Sequence, residues 1–297
     1  MSIINRLPKV DGQYREDVDT SKFCWFKVGG AAAVLYKPKS VADLQYFIAN
    51  LPTDIPYFIL GAGSNVIIQD HGFEGIIIRL GREFNYINKI DATKFEVGAS
   101  TLDYNIATVA CDSNIAGLEF FSGIPGTFGG AIAMNAGAYG TEVKDVLISA
   151  RAINSAGELK TFSNAEIGFS YRNKTLGDEW IFIDGIIEGV VGDKNIITDQ
   201  IKAIQSARSH TQPINQRTGG STFKNPATGP KAWQLIDQAG CRGMSIGGAQ
   251  VSQLHCNFFI NTGDATASDI INLIHEVKTR VFQASGVALQ EEIKVVG

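Results

Sequence analysis

Five short segments of the chain hold the residue types that do chemistry. The first is Gly61-Ala62-Gly63-Ser64-Asn65-Val66, directly after the apolar run Tyr57 to Leu60. Glycines let backbone N–H groups turn toward an anion, and the Ser and Asn side chains add donors. Val66 stands where the dinucleotide fingerprint needs its third glycine, and no Gly-Lys-Ser/Thr follows as in a P-loop. A phosphate-binding loop and a plain glycine-rich turn are both open. The second segment runs from Ser122-Gly123-Ile124-Pro125-Gly126-Thr127-Phe128-Gly129-Gly130 through Asn135-Ala136-Gly137-Ala138-Tyr139-Gly140. It carries no charged side chain and much bare backbone. Its main-chain donors suit the phosphates and ribityl chain of a dinucleotide; the alternative is a structural Ω-loop. Two such loops in one half of the chain favour a dinucleotide cofactor.

The third segment, Gly168-Phe169-Ser170-Tyr171-Arg172, sets an arginine beside a tyrosine. A guanidinium there can fork onto a carboxylate or phosphate, or form a surface ion pair. The fourth is Gly219-Gly220-Ser221-Thr222-Phe223-Lys224-Asn225-Pro226. Two glycines expose the Ser221 hydroxyl, and Lys224 and Asn225 add charge and donors. The pattern is not a nucleophile elbow, so the hydroxyl is either a proton donor or a turn serine. The fifth is Glu291-Glu292 ahead of the terminal apolar run, an acid–base group or an exposed pair. His71, His210, His255 and His275 fall at no ligand spacing, and Cys24, Cys111, Cys241 and Cys256 form no Cys-x-x-Cys pair. No metal is expected, and the cysteines are expected to be free thiols.

The elements that must position these segments mix strands and helices without βαβ alternation, which favours α+β over a doubly wound sheet. Ser40 as cap and Asp43 completing a capping box predict a helix over Val41 to Asn50. Apolar spacing predicts further helices over Thr101 to Asn114, from about 196, over Lys231 to Ala239, and over Ser268 to Ser285 with Gly286 as C-cap. Strands are expected at Tyr57 to Leu60, Ile76 to Leu80, Val146 to Ile153, Glu158 to Phe162, Trp180 to Asp184, Ile186 to Val191, Asn257 to Asn261 and Ile293 to Val296. Residues up to about 20 and 211–230 read as irregular, and a boundary falls near 200. The 297 residues carry a net charge of −4, too little basic surface for a general nucleic-acid binder. Glycine numbers 32 of 297, about 11% where roughly 7% is usual. Neither a signal peptide nor a membrane span is legible, so the reading is a cytoplasmic protein without membrane or nucleic-acid partners.

Taken in order, the five segments resemble the UDP-N-acetylenolpyruvoylglucosamine reductase family, from about Phe23 to Gly297. The resemblance implies an α+β chain. Its two-part FAD-binding domain, of the vanillyl-alcohol-oxidase (PCMH) type, would span residues 1–200 and divide near 80–90. A smaller α+β substrate-binding domain would span 201–297. It implies non-covalent FAD held by Gly61, Ala62, Gly63, Ser64, Asn65, Val66, Ser122, Gly123, Ile124, Pro125, Gly126, Gly129, Gly130, Asn135 and Gly137. NADPH would reduce the flavin and leave. The flavin would then give a hydride to the enolpyruvyl group of a UDP-sugar, forming UDP-N-acetylmuramate for peptidoglycan. Arg172 matches the family's catalytic arginine, Glu292 its C-terminal glutamate and Ser221 its proton donor. Tyr171, Lys224, Asn225 and His255 are the substrate-side matches. A monomer is the favoured oligomeric state.

The sequence also departs from the family pattern. Thr211-Gln212-Pro213 stands where many relatives have a Lys before Gln-Pro, and Gln290-Glu291 replaces a common Glu-Pro, which sets Glu291 beside Glu292 as a second register. Seven residues separate Arg172 from Trp180, leaving no room for a long substrate-covering Tyr loop, so the short type is the better match. Two alternatives remain at this stage. One is another flavin oxidoreductase of the PCMH type, although neither glycine-rich loop carries the His that tethers flavin in many of them. The other is a non-catalytic nucleotide-binding scaffold.

Overall fold

A computed structural model of the protein describes residues 3–297. The chain divides into two compact units, one built from residues up to 16, 34–62 and 75–207, the other from 17–33, 63–74 and 208–297.

The first unit is organised by a five-stranded antiparallel sheet in the order Leu159–Ser163, Leu147–Ile153, Ile181–Glu188, Lys94–Gly98, Ile87–Lys89. Side chains of a strand alternate between faces, the phase changing here at the register shift opposite Arg151 and Ala152, and the two faces feed two cores. Phe182 and Ile187 join Ile106, Ala107 and Ala110 of the helix Asp103–Asp112, with Phe128, Ala131 and Ile132 of the short helix Phe128–Ala133. Ile181 and Ile183 join Leu44, Phe47 and Ile48 of the helix Val41–Asn50. Where two strands were expected between Trp180 and Val191, one strand runs over Ile181–Glu188, with the pair Val190–Val191 beyond it. Gly185 does not break it, because its place in the ladder opposite Ala150 and Val97 supplies the hydrogen bonds.

A four-stranded sheet has the order Gln13–Asp19, Ala31–Lys37, Phe73–Ile78, Tyr57–Ile59. The expected irregular N-terminus is therefore a strand from Gln13. It lies at an edge and is mostly exposed, so it shows no apolar alternation to read. The helix Val41–Asn50 has its expected start, with Ser40 Oγ accepting the Asp43 N–H at 3.1 Å. The Asp43 carboxylate instead accepts from the N–H groups of Asp11 and Lys39, each at 2.9 Å, and from the Tyr36 hydroxyl at 2.8 Å. That replaces the reciprocal half of the expected capping box.

In the second unit a four-stranded sheet runs in the order Arg217–Ser221, Phe258–Asn261, Ala249–Val251, Ser245–Ile246. The helix Ala267–Ser285 buries Ile270, Leu273, Ile274, Val277 and Val281 among its own unit's residues. Gly286 ends the helix in the left-handed conformation at φ 71°, as Gly at this position does. Asp70 caps the other end, accepting from the N–H groups of Ala267 and Ser268 at 2.8 Å each. The terminal strand Lys294–Val296 pairs in parallel with Val66–Ile68. All four cysteines are buried, and none forms a disulfide with another. Among the described residues, no helix is long and apolar enough to cross a membrane.

Candidate active site

The strand Arg217–Ser221 lies inside the stretch expected to be loop, and it presents Ser221. Its register against Phe258–Asn261 shifts between Thr218 and Ser221, which is a bulge at Gly219-Gly220. Gly220 has φ +76°, and a Cβ on Gly219 would stand 2.4 Å from Phe26 Cε2 and 2.8 Å from Ile293 Cδ1. Both glycines are thus required by geometry, one for its turn and one for the close approach. Beyond the bulge the chain is held on two sides. On one side Thr222 N–H donates to Asn257 O at 2.8 Å, Phe223 N–H donates to Asn257 Oδ1 at 3.0 Å, and Asn257 Nδ2 donates to Phe223 O at 2.8 Å. On the other, Glu292 N–H donates to Thr222 O and Lys224 N–H to Gln290 O, both at 2.8 Å.

This pairing brings Ser221, Lys224 and Glu292 together on adjacent backbone. Asn225 Oδ1 accepts the Ala232 N–H at 3.1 Å, opening the helix Ala232–Gln238. His255 packs edge-on to Phe258, with ring centroids 4.9 Å apart, and Phe258 is the residue opposite Ser221. Burial holds the imidazole below its usual pKa, with the Arg242 charge adding to the effect. Nδ1 accepts from the Asn257 N–H at 3.2 Å, so a neutral ring carries its proton on Nε2. Of the two C-terminal carboxylates, that of Glu291 is committed to Lys278 at 2.7 Å. Glu292 is held through its backbone, whose carbonyl accepts from Asn65 Nδ2 at 2.9 Å. A cavity of about 320 Å³ in the same unit is lined by the amides of Gln212, Gln216 and Gln250 together with the apolar Pro213, Leu254 and Ile260.

Tyr171 and Arg172 belong to the first unit. They form the turn between the paired strands Phe169–Ser170 and Asn173–Lys174, with Ser170 opposite Asn173. Arg172 has φ +52°, a left-handed conformation that costs a non-glycine residue on the order of 1–3 kcal/mol. Its guanidinium donates to Asn135 O at 3.3 Å and to Gly137 O at 2.9 Å. Just past the turn, the buried Lys174 ammonium donates to the carbonyls of Leu176 and Gly177 and pairs with Asp178. That clasp closes the short connection to Trp180.

The glycine-rich segments divide by what surrounds them. From Gly61 to Ser64, among the described residues, no backbone N–H donates to a protein acceptor, which makes a run of anion donors. A Cβ on Gly61 would lie 2.5 Å from Thr127 Oγ1, so the two glycine-rich segments touch there. A Cβ on Gly130 would meet only Thr127 Oγ1, at 3.8 Å. These features fit a phosphate-bearing dinucleotide. Gly129 instead packs against Ala99, where a Cβ would be 2.8 Å from Ala99 Cβ, and Gly137 against Glu142 Cγ at 2.7 Å. Gly123 is crowded by Ile204, Tyr139 and Ala138. The Ser122 hydroxyl donates to Glu119 O at 2.7 Å. Ile124 closes a turn onto Phe121 O at 3.1 Å, and Gly126 O accepts the Asp103 N–H at 3.2 Å. Asn135 is fully buried, with both polar ends of its side chain bonded within the protein.

Residues that sequence reasoning did not single out complete the picture. Asn257 holds the Ser221 segment, Lys278 occupies Glu291, and Glu142 faces Arg172. Asp103 is fully buried beside Gly126, and neither carboxyl oxygen has a partner among the described residues. That burial drives its pKa well above the usual carboxylate value. No local pattern marks any of these, because Asn257, Lys278 and Glu142 act through contacts distant in sequence and the Asp103 carboxyl is set apart only by its burial.

This is the site of a chain whose first part is a flavin-binding fold: residues 32–163 match the family model described as FAD binding domain. Residues 212–296 match the C-terminal domain of UDP-N-acetylenolpyruvoylglucosamine reductase. The chain is 49% identical over 296 residues to the UDP-N-acetylenolpyruvoylglucosamine reductase of Parvibaculum lavamentivorans, covering 100% of this chain and 95% of that protein. It is also 49% identical over 300 residues to that of Orientia tsutsugamushi, covering 100% and 99%. The crystal structure of the reductase from Thermus caldophilus matches with a TM-score of 0.83 at 30% identity, over 97% of this chain and 100% of that one. The chain belongs to the UDP-N-acetylenolpyruvoylglucosamine reductase family.

Proposed function

We propose that this protein reduces UDP-N-acetylglucosamine enolpyruvate to UDP-N-acetylmuramate with NADPH, for peptidoglycan synthesis. The observation that carries the reading is the pairing of the Ser221 and Glu292 segments, in a chain similar to reductases over its full length. When bound, FAD supplies hydride transfer from NADPH to the enolpyruvyl carbon. The run from Gly61 to Val66 would hold its phosphates through backbone N–H groups.

Hydride addition drives negative charge onto the substrate carboxylate. Arg172 stabilises that enolate-like charge, in a place fixed before substrate arrives. Glu292 would serve as a protonated or hydrogen-bonded acid toward the substrate. Ser221 delivers the proton to the carbon beside the carboxylate. A serine hydroxyl is a weak acid, so rigid placement by the Gly219-Gly220 bulge and a strongly basic intermediate are both needed. Lys224 and Asn225 serve the pyrophosphate side, and Tyr171 and His255 line the substrate. Residues 1–200 carry the cofactor functions and 201–297 most substrate contacts. The protein acts as a monomer in the cytoplasm, where NADPH is present and cysteines outside disulfides stay reduced.

The test is NADPH oxidation by the FAD-loaded protein with and without UDP-N-acetylglucosamine enolpyruvate. Strong dependence on that substrate is expected; flavin reduction indifferent to it overturns the reading. Ser221→Ala is expected to lose about 10²-fold or more in turnover, and an unchanged rate of solvent-proton incorporation removes Ser221 from its role.

A further inference from the structure

We propose that Glu142 and Asn135 form a clamp that sets the orientation of the Arg172 guanidinium, with Glu142 as the positioning residue whose charge fixes it. This rests on the reading of Arg172 as the group that meets the substrate carboxylate.

The clamp grips both ends of the arginine. At its base, Asn135 Nδ2 donates to Ser170 O at 2.9 Å, the residue that opens the Tyr171-Arg172 turn. At its tip, Nη1 lies 3.5 Å from Glu142 Oε1 and donates to Asn135 O at 3.3 Å, while Nη2 donates to Gly137 O at 2.9 Å. The two grips are joined. Asn135 Nδ2 also donates to Glu142 Oε2 at 3.0 Å, and Lys144 Nζ pairs with the same oxygen at 2.9 Å. Lys144 N–H donates to Asn135 Oδ1 at 3.0 Å. Glu142 stands opposite Gly137 in the short ladder Gly137–Ala138 with Thr141–Glu142, so carboxylate and carbonyl are fixed against each other. The absence of a side chain at Gly137 is what lets Glu142 Cγ come so near.

The arrangement has a chemical consequence. A long guanidinium side chain ordinarily loses rotamer freedom when it binds an anion, and a carboxylate partner that fixes it beforehand removes that loss. The same carboxylate opposes a second anion at Arg172. That repulsion acts on the bound substrate and on the developing charge alike, so the gain from Glu142 lies in the alignment of the guanidinium. Glu142→Gln should consequently slow chemistry without raising KM for the enolpyruvyl substrate. Loss of alignment alone by about 1 Å corresponds to up to ~10²-fold in rate.

The experiment separates the two half-reactions of the FAD-loaded enzyme by stopped-flow flavin absorbance, with NADPH and then UDP-N-acetylglucosamine enolpyruvate. Glu142→Gln is expected to slow reoxidation by the sugar about 10–100-fold, to leave reduction by NADPH and FAD affinity unchanged, and to add nothing to Arg172→Lys in the double variant. Wild-type reoxidation in Glu142→Gln, with Arg172→Lys slowed, overturns the clamp and leaves the Arg172 reading standing. Wild-type reoxidation in Arg172→Lys overturns that reading and the clamp with it. Glu142→Asp, which keeps the charge but draws it back, serves in the same comparisons if the glutamine variant fails to hold FAD. It should slow the same half-reaction by a smaller factor, and a wild-type rate overturns the proposal.

Discussion

Replacing Asn257 by alanine should loosen the Ser221 segment and destabilise the second unit. The side chain is 4% exposed and answers both polar groups of Phe223, whose own exposure is 1%. Alanine would leave a buried N–H and a buried C=O without partners. Each such group costs about 1–3 kcal/mol, so the two together give roughly 2–4 kcal/mol after partial relaxation. At about 2–4 °C per kcal/mol for a chain of this size, the melting transition should fall by roughly 4–16 °C. Asn257→Asp refines the test. Its carboxylate can still accept from the Phe223 N–H, but it sets a charged oxygen against Phe223 O. The pKa of that introduced acid should be raised in the folded state, because only its protonated form can donate to the carbonyl. Stability from that donation is then present below the unfolded value near 3.9 and is lost as pH rises through the raised folded pKa. The assay is thermal unfolding followed by circular dichroism at several pH values, with Ser221-dependent turnover measured on the same samples. A melting shift under about 2 °C for Asn257→Ala, or an Asn257→Asp protein that grows more stable as pH rises, would refute the reasoning.

Three further outcomes follow from the same geometry. Glu291→Gln removes a half-exposed ion pair with Lys278, so turnover should stay within about twofold and stability within roughly 1 kcal/mol; Glu292→Gln should abolish most turnover, and the reverse ranking would move the role to Glu291. Asp103→Asn removes a carboxyl whose folded pKa is raised by burial, so the wild type should lose stability relative to the variant as pH rises from about 4. Parallel stability–pH curves for the two proteins would show that Asp103 is solvated or partnered. Gly219→Ala drives a methyl group into Phe26 and Ile293, and urea unfolding should report about 1–3 kcal/mol of destabilisation, against no measurable change if those side chains simply move aside.

Much of the fold was legible because its amphipathic signals are local. The helix Ala267–Ser285 shows its buried stripe and its glycine stop in the sequence itself, and the helix Val41–Asn50 is announced by Ser40. Other elements follow no such signal. Gln13–Asp19 is mostly exposed, so its strand character comes from backbone pairing at an edge rather than from its side chains. Arg217–Ser221 reads as loop because its two glycines and its threonine carry no alternation, yet those glycines are what lets the strand bulge at Ser221. The short helix Phe128–Ala133 is hidden by Gly129 and Gly130, poor helix formers, and is held because Phe128, Ala131 and Ile132 are buried.

The candidate site was legible as residue types, but its wiring was not. Within Ser122 to Gly140 a glycine required by packing and a glycine open to a ligand look the same in sequence. The structure separates them, with Gly129 and Gly137 pressed against Ala99 and Glu142 while Gly130 has nearly empty space where a side chain would stand. Asn135 shows the same ambiguity in a polar residue. Beside glycines it reads as a cofactor contact, yet its buried amide is spent on Ser170, Glu142 and Lys144. A run rich in bare backbone therefore does two physical jobs. Where it is open, it offers N–H groups to an anion. Where it is closed, it lets carbonyls and a carboxylate come near enough to hold an arginine in a left-handed turn. The second job explains why Arg172 tolerates φ +52°, since the strain of that turn is offset by carbonyl contacts and an ion pair that an extended backbone would not reach.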